Sequence, residues 1–346
     1  MFRPARIAHR LRFLIVLALA ALQPGAGRAQ DSAEQGFQGY LQMLAARARG
    51  EGVSEATIAR MGEGLTLNPR VIALDRAQPG SGSSGPSPFA PYRRTHVDSG
   101  RIAGGKRMVQ QLAGILPGIE ARYGVPAPIL LAIWGHETNY GRYRGDFDLA
   151  RSLATLAYEG RRRELFAAEY VAVLKMADLG VPRAQLQGSW AGALGNPQFL
   201  PSMYLRVAVD GDGDGRRNIW DDPVDTVASI ANYFRDAGWR PGQPWGVSAS
   251  VPEGFDWAAV RPKLAAPSCP AVHARHSSWK TVGEWRALGV TPLAPLPDSM
   301  LTALFQPDGP GTPAWLLTGN YRVILQYNCS NYYALSVGLL ADAIQR

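Results

Sequence analysis

This sequence predicts a mainly α chain (α+β), on three observations. Apolar residues recur at three- and four-residue spacing through most of the first two-thirds, the pattern of helices that bury one face. Turn-forming stretches rich in Gly, Pro and Asp separate those runs. After residue 246 the texture shifts to Pro- and Gly-rich sequence with short apolar runs, which predicts a small β-containing subdomain.

Residues 1–29 stand apart. "MFRPARIAHRLR" is basic and free of acids, "FLIVLALAAL" is a short apolar run, and "GRAQ" ends on small residues. This is the layout of a secretory signal peptide cleaved near Ala29. The apolar run is well short of the roughly 20 residues that span a bilayer. No Cys follows the cleavage site, so no membrane anchor is expected. Loss of the five arginines in this segment takes the formal net charge from +8 to +3. A mildly basic surface suits an anionic polymer and falls far short of a nucleic-acid footprint. Cys269 and Cys329 are the only cysteines. In an oxidising compartment they pair or remain two buried thiols, and the sequence leaves both open.

The mature chain then divides into regions. Residues 30–77 form an N-terminal helical region, with Ser54 as a helix start. The segment 78–92, "QPGSGSSGPSPFAPY", is predicted to be a flexible linker. The main helical core covers 93–246, with helices near 101–122, 127–138, 160–179 and 222–237 and an acid-rich loop at 210–225. Residues 247–326 are the small subdomain, with "YRVILQY" among its apolar runs and "WKTVGEWRALGV" as a short helix. A C-terminal helix over 327–346 packs back on the core.

"LLAIWGHETNYGRYRG", residues 130–145, carries the chemistry. On a helix over 127–138, Leu130, Ile133 and Trp134 share the face of Glu137, which ends an apolar stripe. Burial disfavours the ionised form, and a carboxyl kept protonated near neutral pH is the group a glycosidic oxygen needs from a general acid. The rival is a Glu at a helix C-terminus bonded to nearby backbone. "HE" also begins the zinc motif HExxH, but Tyr140 stands where the second His ligand belongs. His273 and His276 are predicted to be a surface pair in a loop. "GSWAGALGNPQFLPSMY", 188–204, is a Gly- and Pro-rich loop around one polar side chain, Gln198, able to approach a ligand closely. Tyr233 on its helix, and Tyr327, Asn328 and Tyr333 in "QYNCSNYYAL", offer aromatic and amide groups for sugars.

The acid-rich loop "DGDGDGRRNIWD" fits the calcium pattern D-x-[DN]-x-[DN]-G-x5-E, except that Asp221 stands for the closing Glu. Asp210, Asp212 and Asp214 supply carboxylates, Gly215 the turn and Arg216 a carbonyl. Three carboxylates this close repel one another unless a cation neutralises them. Asp225 rivals Asp221 as the last ligand.

Together, "WGHETNYGRYRGDF", "LATLAYEGRRRELF", "GSWAGALGNPQFLPS", "DGDGDGRRNIWDDPVDTVASIANYF" and "YNCSNYYAL" resemble the lytic murein transglycosylase B family (glycoside hydrolase family 103). The resemblance implies a lysozyme-like helical catalytic core with an EF-hand-type calcium loop, flanking helices and the small subdomain. It implies a periplasmic enzyme that cleaves the β-1,4 MurNAc-GlcNAc bond of peptidoglycan and forms 1,6-anhydromuramic acid. Glu137 is then the sole acid/base, with Ser189, Gln198, Phe199, Tyr233, Tyr327, Asn328 and Tyr333 holding glycan. A structural Ca2+ is implied on Asp210, Asp212, Asp214, the Arg216 carbonyl and Asp225, and no organic cofactor. Glycan strands, and other cell-wall enzymes, are the implied partners. His136 departs from the apolar residue expected before the acid. Two rivals stand beside this reading: a lysozyme-type hydrolase and a non-catalytic calcium-containing peptidoglycan-binding module.

Overall fold

The structure, a computed structural model, describes residues 24–78 and 88–346. The predicted signal peptide, apart from residues 24–29, and most of the predicted linker therefore lie outside the described residues. No described helix is long and apolar enough to cross a membrane.

Three helices open the chain: α1 (Pro24–Gly50), α2 (Glu55–Gly62) and α3 (Pro69–Arg76). Ser54 starts α2 as the sequence predicts, its Oγ accepting from the Thr57 amide at 3.2 Å. Pro69 follows Asn68, which caps α3 by accepting from the Arg70 and Val71 amides. Then come α4 (Phe89–His96), α5 (Ser99–Gln111), α6 (Leu116–Tyr123), α7 (Ala127–Thr138), α8 (Leu149–Glu159), α9 (Arg163–Asp178), α10 (Pro201–Val207) and α11 (Pro223–Asp236). A two-stranded ribbon, β1 (Phe147–Asp148) with β2 (Gln187–Gly188), ties the turn after α7 to the Gly-rich loop.

The small subdomain is a five-stranded antiparallel sheet of β3 (Gly246–Ser250), β4 (Trp279–Thr281), β5 (Thr291–Pro292), β6 (Leu301–Phe305) and β7 (Ala314–Leu317), in the order β4-β6-β7-β3-β5. It carries the short helices α12 (Pro270–His273) and α13 (Val282–Ala287). Strand alternation assigns its two faces. Phe305, Trp315 and Leu317 join the large helical core, while Leu304, Ala314 and Leu316 pack with Trp285 of α13 in a second, smaller core. The chain ends in α14 (Gly319–Tyr327) and α15 (Asn331–Gln345).

Several expectations need correction. "YRVILQY" is not a strand of the subdomain. Thr318 caps it, accepting from the Asn320 amide at 3.1 Å, and Tyr321, Val323, Ile324 and Leu325 are buried against the helical core as part of α14. The predicted linker ends early, because α4 starts at Phe89. That ring is buried against Trp315 and Tyr332, and its amide donates to Asp308 at 2.7 Å. The sequence predicts no helix over α8, although Arg151, Ser152, Thr155 and Glu159 share one polar face; Ser152 and Thr155 of that face are nevertheless buried. His276 is no surface residue. It is 7% exposed and shares a 2.6 Å hydrogen bond with Asn331 at the start of α15. Cys269 and Cys329 form a disulfide, which fixes the loop before α12 to the link between α14 and α15.

Candidate active site

Helix α7 runs through the centre of the molecule, packed by α5, α6, α11 and α15. It is apolar on every side rather than along one stripe: Ile129 through Gly135 are all buried. The sharp turn after Glu137 comes from consecutive left-handed residues, Asn139, Tyr140 and Gly141. Left-handed backbone costs a bulky residue about 1–2 kcal/mol, so Tyr140 must be held there by its surroundings. Its ring lies against Gly104, Gly105 and Gly135, where any Cβ would collide with it, and its hydroxyl donates to the Arg101 carbonyl at 2.8 Å. Thr138 joins the helix end to the Gly-rich loop. Its hydroxyl donates to the Asn196 carbonyl and accepts from the Gly141 amide, both at 3.0 Å.

Glu137 is held among tyrosines. Tyr333 of α15 donates its hydroxyl to Oε1 at 2.5 Å. Burial pushes the ionisation of Tyr327 and Tyr92 upward, and the nearby Glu137 charge adds to it. Burial raises the Glu137 pKa to about 7, and the Tyr333 hydrogen bond acts in the opposite direction. Among the described residues, no second carboxylate contributes. Asp148 caps α8, accepting from the Arg151 amide at 2.9 Å, and pairs with Arg183 at 3.1 Å. Asp146 is exposed.

His136, adjacent in sequence, faces away. Its ring stacks on His96 at 5.7 Å, and His96 stacks on Tyr92 at 3.8 Å. Burial, with His96 next, lowers the His136 pKa to about 3, so it carries no charge at neutral pH. The expected departure therefore places a neutral aromatic slab, not a cation, beside the acid. The residues supplying that slab were missed from sequence, although Phe89, Tyr92 and His96 are spaced as one helix face.

The predicted glycan-binding residues fall into three groups. Phe199, Tyr233 and Tyr327 pack together, with Tyr233 and Tyr327 at 4.7 Å and Phe199 at 6.0 Å from each. The Tyr327 hydroxyl donates to the Pro197 carbonyl at 2.6 Å. Ser189 and Gln198 shape the loop itself. Ser189 Oγ accepts from the Ala193 amide at 3.0 Å, and Gln198 Nε2 donates to the Gly195 and Arg144 carbonyls at 2.9 and 3.2 Å. Gln198 also adopts left-handed backbone, with φ +51°. Asn328 is exposed at the C-terminal end of α14.

In the acid-rich loop, ligand oxygens of Asp210, Asp212 and Asp214 lie within 4.8 Å of one another. Such a set of hard oxygen donors suits a divalent cation of the calcium type. Asp225, 1% exposed at the start of α11, closes the loop from below. Its two oxygens accept from the Gly211 amide at 2.6 Å and the Asn218 amide at 2.5 Å. Asp221 instead points to Arg144 at 2.8 Å. Asn196 links this loop to the cleft: its amide donates to Ile219, and its side chain donates to the Trp220 carbonyl and Thr226 Oγ1.

Residues 36–342 match the family model described as "Transglycosylase SLT domain". The chain is 35% identical over 291 residues to the membrane-bound lytic murein transglycosylase B of Escherichia coli (strain K12), covering 82% of this chain and 74% of that one. It is 39% identical to SltB3 of Pseudomonas aeruginosa, solved in complex with NAG-anhNAM-pentapeptide, at a TM-score of 0.80 over 89% of this chain and 79% of that one. The Escherichia coli lytic transglycosylase Slt35, solved in complex with calcium, is 29% identical at a TM-score of 0.70, covering 90% of this chain and 93% of that one.

Proposed function

The chain belongs to the transglycosylase SLT domain family and is a lytic murein transglycosylase, and on that premise we propose that Glu137 alone serves as its acid and then its base. The observation that carries this is a single carboxyl, raised to about 7 by burial, with no second acid among the described residues bearing on its ionisation. Hydrolysing glycosidases of the usual kind need two carboxylates. One suffices when the substrate supplies its own nucleophile. Protonated Glu137 donates its proton to the glycosidic oxygen as the C1–O bond breaks. The resulting carboxylate, stabilised by the Tyr333 hydroxyl, takes the proton from the muramic C6 hydroxyl as that oxygen bonds to C1. No water enters, and the new end is a 1,6-anhydro sugar. Because both groups belong to one sugar, the attack gains the large proximity advantage of an intramolecular reaction.

Phe199, Tyr233 and Tyr333, buried, back the half-buried Tyr327, and together these rings wall the cleft that takes the glycan. The Gly-rich loop, shaped by Ser189 and Gln198, offers backbone groups to the acetamides, and Asn328 stands at the rim. The acid-rich loop would take calcium through Asp210, Asp212, Asp214 and the Arg216 carbonyl, with Asp225 preferred to Asp221 because Asp225 is buried at the base of the loop while Asp221 is exposed and turned to Arg144. The calcium complex of the Escherichia coli relative supports this. A divalent cation in the acid-rich loop would neutralise its carboxylates, and Asn196 ties this loop to the cleft loop through Ile219, Trp220 and Thr226. Export to the periplasm, with cleavage near Ala29, fits a cell-wall substrate.

The test is a digest of murein sacculi by wild type and Glu137→Gln, read by mass spectrometry. Wild type should release 1,6-anhydromuropeptides and the amide variant none. Products heavier by one water would show a lysozyme-type hydrolase, and undiminished digestion by the variant would remove Glu137 from the mechanism.

A further inference from the structure

Concavities beside the subdomain are lined without Glu137. Three of them, of about 690, 920 and 490 Å3, meet at one side chain, Arg322 of α14, which lines all three. Trp279 and the Arg322 guanidinium stack at 5.0 Å, which holds the cation at the junction. The walls add Lys280 of β4, Arg261 and Lys263 of the loop that leads to α12, and Arg240, and among the described residues no carboxylate lines any of the three. Among the described residues, none of Arg240, Arg261, Lys263, Lys280 and Arg322 is paired with an acid within salt-bridge distance. Arg206, at the Tyr233 end, is paired with Asp236 at 2.9 Å, and the remaining cations, unpaired on walls free of acids, focus a positive potential into the groove. One end of the groove is Tyr233, the same ring that packs on Tyr327 beside the acid. Tyr233 thus borders the groove on one side and packs on Tyr327 of the proposed glycan wall on the other, and the Cys269–Cys329 bridge forms part of the same groove wall.

We propose that this groove binds the carboxylates of the peptides attached to the glycan strand, with Arg322 and Lys280 as the principal contacts. The inference rests on the glycan-cleaving function above and assigns the subdomain a role in it. A glycan held along the tyrosines carries its peptide substituents outward, and a peptide ending in a carboxylate finds in the groove a charge complement that the neutral sugar wall cannot supply. Arg322 is exposed, so its replacement spares the core.

Binding in the Glu137→Gln background separates this from catalysis. Isothermal titration compares a muro-oligosaccharide bearing its stem peptide with the same oligosaccharide stripped of peptide. The peptide-bearing ligand should bind about five- to tenfold tighter, the scale of two exposed ion pairs. Adding Arg322→Gln and Lys280→Gln should erase that advantage and leave the stripped ligand's Kd unchanged, while Arg322→Lys should keep it. Equal Kd values for the two ligands, an advantage that survives the double substitution, or an equal loss on both ligands would overturn the proposal. Failure of wild type to release anhydro products would instead overturn the function on which it rests.

Discussion

Glu137 should destabilise the fold above neutral pH, and replacing it by Gln tests that directly. Its ordinary pKa is 4.5 and burial raises it to about 7. Between those values the folded chain binds more protons at this site than the unfolded chain does, so stability falls as pH rises through the window. A tenfold weakening of an acid corresponds to about 1.36 kcal/mol, which gives a cost of up to roughly 3 kcal/mol once the pH passes the folded value. Gln keeps the shape and can still accept the Tyr333 hydroxyl, but it never ionises. The stability of Glu137→Gln relative to wild type, from urea unfolding at a series of pH values with the disulfide intact, should therefore climb between about pH 4.5 and 7 and level off above. The variant should be the more stable protein at pH 8 and enzymatically dead. A stability difference independent of pH would refute the reasoning, since it would show the carboxyl is not held protonated by its surroundings.

Three further outcomes follow from the same geometry. Tyr333→Phe removes the one group that counters burial at Glu137, so the alkaline limb of the activity profile should move to a pH higher by roughly one while kcat falls about tenfold, read from rate against pH on soluble glycan. Calcium at a hundred times its Kd should raise the thermal midpoint by roughly 5 °C, and Asp225→Ala should abolish that response in a melting scan. Reducing the Cys269–Cys329 bridge frees a 60-residue separation, and chain entropy puts the loss near 4 kcal/mol, measurable as a lower urea midpoint in reductant.

What the sequence made legible, and what it hid, follows from the range over which each signal acts. The α7 boundaries, the Ser54 cap and the carboxylate loop are local: spacing, capping side chains and charge density within a dozen residues define them, and they stand where expected. "YRVILQY" misled because five of its seven residues are apolar or aromatic, which blurs the difference between periods of 2 and 3.6; burial against the helical core then decides the outcome. The segment before Tyr92 looked like linker from its composition, yet Phe89, Tyr92 and His96 form one helical face that the core covers. The site shows the same division most sharply. Glu137 could be singled out as an acid ending an apolar run, but a stripe on its own helix does not raise a carboxyl to about 7. Burial of the acid on α7 is a matter of tertiary packing, and the groups near it come from other elements: Tyr92 on α4, Tyr327 on α14 and Tyr333 on α15. The hydroxyl that offsets part of this penalty lies 196 residues away along the chain. The chemistry thus rests on how α7 is enclosed, so substitutions that loosen α4 or α15 should alter the acid's ionisation without touching it.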